Sequence, residues 1–228
     1  MANIGVVHNS IVSAIVKHCS EELKQNVLSK IAREALAALS ITEPRGSTDI
    51  ARTITTSIAR SNSTCIVNGE KTFTSNALYA DHFLVLGKDE NCWSKGFTLV
   101  LVPKTSSVKV APLDTMVFRE AGIGRVVFTN AEVEEYMILG EPCKGIELAL
   151  NIINTGRLLY AAMGLGVAEG LLDKITSTSL AKSIAGKRLI DYQGIQWRIA
   201  ELYTNIIMLE ALLEQLVNEN TPSPLKNS

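Results

Sequence analysis

No Cys-x-x-Cys pair and no Cys–His cluster occurs in this chain, whose cysteines, Cys19, Cys65, Cys92 and Cys143, lie far apart. Neither a zinc site nor a disulfide framework is suggested, so no metal is expected. A reduced, cytoplasmic setting fits such cysteine usage. No apolar run reaches the roughly 18 residues that a bilayer-spanning helix needs, so no membrane span is expected. The N-terminus lacks a basic stretch leading into an apolar one, which argues against a signal peptide. Lys and Arg (22) balance Asp and Glu (23) and form no stripe, which excludes a nucleic-acid footprint. There is no Gly-x-Ser-x-Gly motif to make a hydrolase nucleophile. His8, His18 and His82 have no nucleophile motif beside them and read as structural or exposed.

What is present is enough for a core. The chain has 228 residues, 46% of them hydrophobic, so burial can stabilise it without covalent cross-links. Three regions follow one another, and the fold class they imply is α+β. Residues 1–38 are helical: Val6, Ile11, Ala14 and Ile15 recur near a 3.6 period, as do Leu23, Val27, Leu28 and Ile31. Ser20 before Glu21 and Glu22 reads as a helix start, with acids at the positive end of the dipole.

Residues 39–137 change character. Short runs of Thr, Val, Ile and Phe alternate with turn residues, which predicts an antiparallel β-barrel or sandwich. Phe83–Val85, Phe97–Val102 and Val126–Phe128 read as strands. Asn68-Gly69, between Thr64–Val67 and Glu70–Ser75, reads as a hairpin turn, since a type I′ turn needs positive φ at both central residues.

Residues 138–228 return to helix and form part of a long-helix bundle. Ile195, Ile199, Leu202, Ile206, Leu209, Leu213 and Leu216 alternate four and three apart, a seam that requires a partner helix. The preceding helix, about Gly145 to Ile175, cannot cover all of that surface. A homodimer or homotetramer, or docking on a further helix pair, is therefore expected. Thr221 to Ser228, with two prolines, reads as a disordered tail. Gly164-Leu165-Gly166-Val167-Ala168-Glu169-Gly170 invites a dinucleotide-loop reading, but its spacing is Gly-x-Gly-x-x-x-Gly and the preceding run is not β-branched. Small residues in a helix are the better reading.

Two segments carry chemistry. Ile41 to Ile50 reads Ile-Thr-Glu-Pro-Arg-Gly-Ser-Thr-Asp-Ile. There Pro44 fixes φ and Gly46 permits a tight path, while the hydroxyls of Thr42, Ser47 and Thr48 could cradle a polar ring edge or a phosphate. Val67 to Asn76 reads Val-Asn-Gly-Glu-Lys-Thr-Phe-Thr-Ser-Asn. In this order the two resemble the flavin-binding middle domain of the acyl-CoA dehydrogenase family. The resemblance extends to Ile138-Leu139-Gly140-Glu141 with Lys144-Gly145, and to Asp191-Tyr192-Gln193-Gly194-Ile195-Gln196 in the C-terminal helices.

The resemblance implies an FAD-dependent oxidoreductase acting on acyl-CoA thioesters, with an electron-transfer flavoprotein as a possible redox partner. It places Ile41, Thr42, Thr48, Phe73, Thr74 and Ser75 at the flavin. Thr42 would bond the ring edge, Phe73 would pack on the ring, and Ser75 would keep a hydroxyl near N5. Thr48 would lie between the flavin diphosphate and the acyl-CoA. Asn154 and Arg157 would face the substrate, and Lys182 and Gln193 would reach the flavin of a neighbouring subunit. Ser47 replaces a glycine, Lys182 an arginine and Ala185 a phenylalanine of the family pattern. By the same resemblance the chain is shorter than the family at both ends and stops before the usual catalytic glutamate. Gly156 stands where some members place that residue, so no catalytic residue is assigned. The alternative reading is a non-catalytic relative that binds FAD, a CoA ester or a partner subunit.

Overall fold

In the computed structural model, residues 2–46, 48–93 and 96–218 are described. The chain folds as two compact units, Met1–Gly156 and Arg157–Ser228. The tail Thr221 to Ser228 and Ser47 lie outside the described residues.

The first unit begins with helix α1 (Ala2–His18). Ser20 then caps α2 (Glu21–Leu23), its hydroxyl accepting from the Leu23 amide, and a π-helical turn at Lys24–Leu28 runs into α3 (Ser29–Arg33). Their apolar faces, Ile11, Ile15, Leu23, Val27 and Ile31, join the same core as the sheet. The 3.6 period read from the sequence is therefore the buried stripe itself.

Strand β1 (Ala37–Ser40) follows, then the loop that carries short helix α4 (Ile50–Thr53). Next come β2 (Ser57–Ser61), β3 (Thr64–Thr74), β4 (His82–Asp89), β5 (Phe97–Pro103), β6 (Val108–Pro112), β7 (Gly124–Glu134) and β8 (Ile138–Leu139). They form one eight-stranded sheet in the order β6-β7-β3-β2-β4-β5-β8, with β1 also on β4. The sheet is open rather than a closed barrel, and it is mixed. β1 and β2 both run parallel to β4, whereas the remaining pairs are antiparallel.

The two parallel pairings place the loop. β1 aligns with the first half of β4, ending at Ser40↔Val85, and β2 with its end, at Ser57↔Lys88. Residues 41–56 are thus an excursion that leaves and rejoins one edge of β4. Gly87 sits at the gap, because a Cβ there would lie 2.8 Å from Ile58 Cγ1 and 3.2 Å from the Thr56 carbonyl.

The Asn68-Gly69 hairpin does not form. Thr64–Thr74 is one strand, bulged against β7 between Val67↔Ala131 and Gly69↔Phe128. The hairpin lies one step earlier, at Asn62-Ser63 between β2 and β3, with Asn62 at φ 52°. Gly69 takes φ 150° because Thr56 packs where its side chain would be, with Thr56 Cα 2.7 Å from an ideal Cβ. Asn68 pairs across the bulge, its side chain bonding both the side chain and the amide of Asn130. Here the Asn-Gly pair encodes a bulge and a close approach, not a turn.

The first turns of α5 (Gly145–Ala181) close the first unit, with Leu148, Ala149 and Ile152 in its core. The second unit holds the rest of α5, a two-stranded hairpin of β9 (Ser183–Ile184) and β10 (Lys187–Arg188), and α6 (Gln193–Asn218). The hairpin turn is Ala185-Gly186, at φ 50° and 77°, which is type I′-like geometry without the usual asparagine. Gly164, Gly166 and Gly170 lie within α5, and a Cβ on any of them would meet nothing within 4 Å. This glycine run is helix and not a nucleotide-binding loop. Along α6 Leu213 is buried and Ile195, Ile199, Ile206, Leu209 and Leu216 are half-buried, whereas Leu202 of the expected seam is exposed, as are Trp197, Tyr203, Met208, Leu212 and Val217.

Gly69→Ala is expected to destabilise the protein by about 1–3 kcal/mol through backbone strain and the clash with Thr56. A urea midpoint equal to the parent's would show that the bulge can relax.

Candidate functional site

Residues 41–56 and the end of β3 meet at a buried pair of charges. The tight turn Glu43-Pro44-Arg45-Gly46 is closed by the Gly46 amide donating to the Glu43 carbonyl at 2.7 Å. Pro44 sits where a fixed φ near −65° favours the turn. This turn directs the Glu43 side chain inward, where it is 4% exposed. Its Oε2 accepts from the Thr55 amide at 2.7 Å and the Thr55 hydroxyl at 2.5 Å. Its Oε1 accepts from the Thr56 amide at 2.9 Å, the Thr56 hydroxyl at 2.6 Å and Lys71 Nζ at 2.9 Å. One carboxylate therefore closes the excursion at its base and ties it to β3.

Lys71 has no exposed surface, and its Nζ also donates to the Ile41 carbonyl at 3.1 Å. The next amide along β3, Thr72, donates to the Thr42 carbonyl at 2.8 Å. The main chain is thus held on both sides of Thr42, while its side chain stays exposed. One residue further, β3 is irregular between Lys71 and Thr74. Phe73 adopts φ 52° there and turns its ring outward, 65% exposed. A left-handed aromatic residue on a bulge is a costly arrangement for a strand, and such strain gathers at ligand sites.

Burial favours the neutral form of both charged groups. At Glu43 the hydrogen bonds from Thr55, Thr56 and Lys71 outweigh that effect and bring the carboxyl down to about 2. At Lys71 burial outweighs the attraction of Glu43 and lowers the ammonium to about 8. Both are therefore ionised at neutral pH.

Of the residues expected at a flavin, the structure brings Ile41, Thr42, Phe73, Thr74 and Ser75 together in this corner of the first unit. Thr74 is turned away from the surface: it is 1% exposed and its hydroxyl shares a hydrogen bond with Ser40 at 3.3 Å. Only its backbone can face a ligand. Ser75 is half-buried. Thr48 is exposed, just ahead of α4, which Asp49 caps by accepting from the Arg52 amide. Asn154 lies half-buried on α5 in the first unit, and Arg157 is exposed at the start of the second. In the second unit the hairpin brings the connection around Lys182 and Gln193 back on itself. There the Leu189 amide donates to the Lys182 carbonyl at 2.9 Å, and both side chains are exposed. Lys71 is absent from the residues that the sequence singles out. The signal available was a lysine in phase with the inward-facing Cys65 and Val67 of the same strand, with the acids Glu43 and Asp49 in the adjacent loop.

Cys92 and Cys143 form a disulfide, so the reduced setting inferred from their spacing loses its argument. They meet because Phe97 bridges Lys144 and the Cys143 amide donates to Thr98 Oγ1 at 3.0 Å. Among the described residues, Asp89 joins these two sulfurs as a cluster of ligand atoms. The Asp89 carboxylate is already bonded by Arg60, Thr98 and the Asn91 amide, and the sulfurs are bonded to each other, so no metal centre is indicated. His8 is structural, its Nδ1 accepting from the Ala37 amide at 3.3 Å. Among the described residues, no helix is long and apolar enough to cross a membrane.

Known proteins resemble the whole of this arrangement. The family model "Acyl-CoA dehydrogenase, middle domain" matches residues 38–131, and "Acyl-CoA dehydrogenase, C-terminal domain" matches 143–223. The short/branched chain specific acyl-CoA dehydrogenase, mitochondrial, of Rattus norvegicus is 29% identical over 204 residues, 88% of this chain and 47% of its own length. The crystal structure of an acyl-CoA dehydrogenase from Geobacillus kaustophilus superposes with a TM-score of 0.85 at 28% identity, covering 93% of this chain and 58% of that one. A glutaryl-CoA dehydrogenase from Mycobacterium smegmatis in complex with FADH2 gives 0.84 at 23% identity over 97% of this chain and 58% of its own, a likeness of fold alone. The chain belongs to the acyl-CoA dehydrogenase family. It spans about half the length of the curated relatives it matches.

Glu43 holds its proton far more weakly folded than unfolded. Its contribution to stability is complete above its ordinary value of 4.5 and is lost as pH falls toward 2. The parent's urea midpoint is expected to drop across that window, with a smaller drop for Glu43→Gln. Parallel curves would remove the role. At pH 7, Glu43→Ala leaves a buried ammonium unpaired and is expected to cost about 3–5 kcal/mol.

Proposed function

We propose that this chain carries the flavin-facing part of an FAD-dependent oxidoreductase that dehydrogenates acyl-CoA thioesters between the α- and β-carbons. The observation that carries the reading is the exposed Thr42 side chain and the exposed Phe73 ring on adjoining main chain, joined where the Thr72 amide bonds the Thr42 carbonyl. That pairing fits an isoalloxazine, a flat apolar ring with polar edges. When bound, the flavin supplies the hydride acceptor for this chemistry.

The chain's own residues bind and orient. Thr42 would bond the ring edge through its hydroxyl, and Phe73 would pack on the ring and exclude water. Ser75 would keep a hydroxyl near N5, and the Thr74 and Ile41 backbone would complete the wall. Thr48 would lie between the flavin diphosphate and the acyl-CoA, with Asn154 and Arg157 on the substrate side. Lys182 and Gln193, exposed beside their hairpin, would reach the flavin of a neighbouring subunit. A lysine at that position offers a point charge where an arginine would offer a bidentate fork. A place in fatty acid metabolism and an electron-transfer flavoprotein as electron acceptor belong to the same proposal.

Association of subunits is part of this reading too. Val167, Leu171, Trp197, Met208 and Leu212 are large, apolar and exposed within one unit, more than a lone helix pair leaves in water. Light scattering at micromolar concentration is expected to show a dimer or larger. A clean monomer would remove the assembly.

The test of the cofactor is a visible spectrum after incubation with excess FAD and desalting. Retained flavin that bleaches anaerobically with an acyl-CoA is the expected result, and a protein that emerges colourless would sink the reading. Thr42→Val is expected to bind FAD about 5-fold more weakly, the loss of one neutral hydrogen bond. Equal occupancy would remove Thr42 from the site.

A further inference from the structure

Thr42 and Phe73 account for what faces a flavin, but not for the ammonium buried behind them. Lys71 is wholly enclosed, and Glu43, its counter-ion, is 4% exposed. A buried ion pair seldom repays its desolvation by attraction alone, so its presence calls for a role beyond stability. Its placement supplies one. Lys71 Nζ donates to the Ile41 carbonyl, and the other end of that same peptide unit is the Thr42 N–H. Pulling on the carbonyl oxygen polarises the whole amide and makes its N–H a stronger donor. The following peptide is held by Thr72, so Thr42 can neither swing nor slide. Glu43, bonded at once to Thr55, Thr56 and Lys71, prevents the excursion from opening.

We propose that Lys71 is a positioning residue for the cofactor. Through the Ile41–Thr42 peptide it holds and polarises the edge of the flavin site, and Glu43 keeps the ammonium in place. The inference rests on the flavin reading above and deepens it. A polarised Thr42 N–H directed at the ring edge would stabilise the electron-rich, reduced flavin more than the oxidised form, which raises its reduction potential.

The test separates holding the fold from tuning the site. In Glu43→Gln/Lys71→Met the amide oxygen can accept from Thr55 or from Thr56 but not from both, no charge is buried, and Ile41 loses its donor. Its urea midpoint is expected to fall by the loss of one backbone amide's acceptor, while the folded protein releases FAD about 10-fold more readily or worse and bound flavin is reduced at a lower potential. Glu43→Gln/Lys71→Gln retains a neutral donor for Ile41. It is expected to recover part of the affinity but not the potential, and it serves as the measured variant if the methionine form does not fold. Affinity and potential equal to the parent's in the folded variant would overturn the proposal. A parent that retains no FAD would remove the flavin reading and this proposal together. A parent that binds FAD with indifferent variants removes this proposal alone.

Discussion

An ammonium and a carboxylate sealed behind a loop set the terms for the rest of the first unit. Charges in such a place are tolerable only when every bond they need is present. Glu43 obtains its donors only if residues 55 and 56 return to it. Lys71 obtains its acceptors only if β3 passes beneath residues 41–43. The loop is therefore closed by chemistry at its base while its tip stays open to solvent. The exposed Thr42 side chain sits on main chain that is hydrogen-bonded on both sides.

The same solution recurs at the far end of β4. Asp89 is buried and takes bonds from Arg60 on β2, Thr98 on β5 and the Asn91 amide, and Thr98 in turn receives the Cys143 amide. Two buried acids, each neutralised by a cation from a neighbouring strand, thus pin β2 at both of its ends, one beside Thr56 and one beside Arg60. Between them lies an apolar sheet, Phe83 to Leu86 and Leu99 to Val102, with Phe83 meeting Phe128 edge-on at 6.0 Å. Apolar burial supplies the bulk of the stability, and the polar clusters select which strands meet and in which register.

Much of this could be read from the residues. The helical stripe of α1 to α3, the cap at Ser20, the strands at Phe83, Phe97 and Val126 and the seam of α6 all follow from local period and local chemistry. The two segments around Thr42 and Phe73 were legible as flavin-facing only through their likeness to a family, since each alone is an ordinary loop or strand. The Asn-Gly pair misled because its conformational freedom served a close approach of Thr56 instead of a turn. The hairpin at Ala185-Gly186 was missed for the converse reason: an alanine held at positive φ carries no turn signal.

Sequence alone determined the order of helix, strand and helix, the apolar faces, and the family to which those faces and motifs belong. Such features are local, and hydrophobic period and turn chemistry record them directly. Tertiary structure alone decided that the sheet is mixed and open, that Cys92 meets Cys143, and that Lys71 lies under Thr42. These depend on residues dozens of positions apart arriving at one place. No spacing in the chain reports that meeting, because it is set by which strand edges remain to be paired once the core is buried.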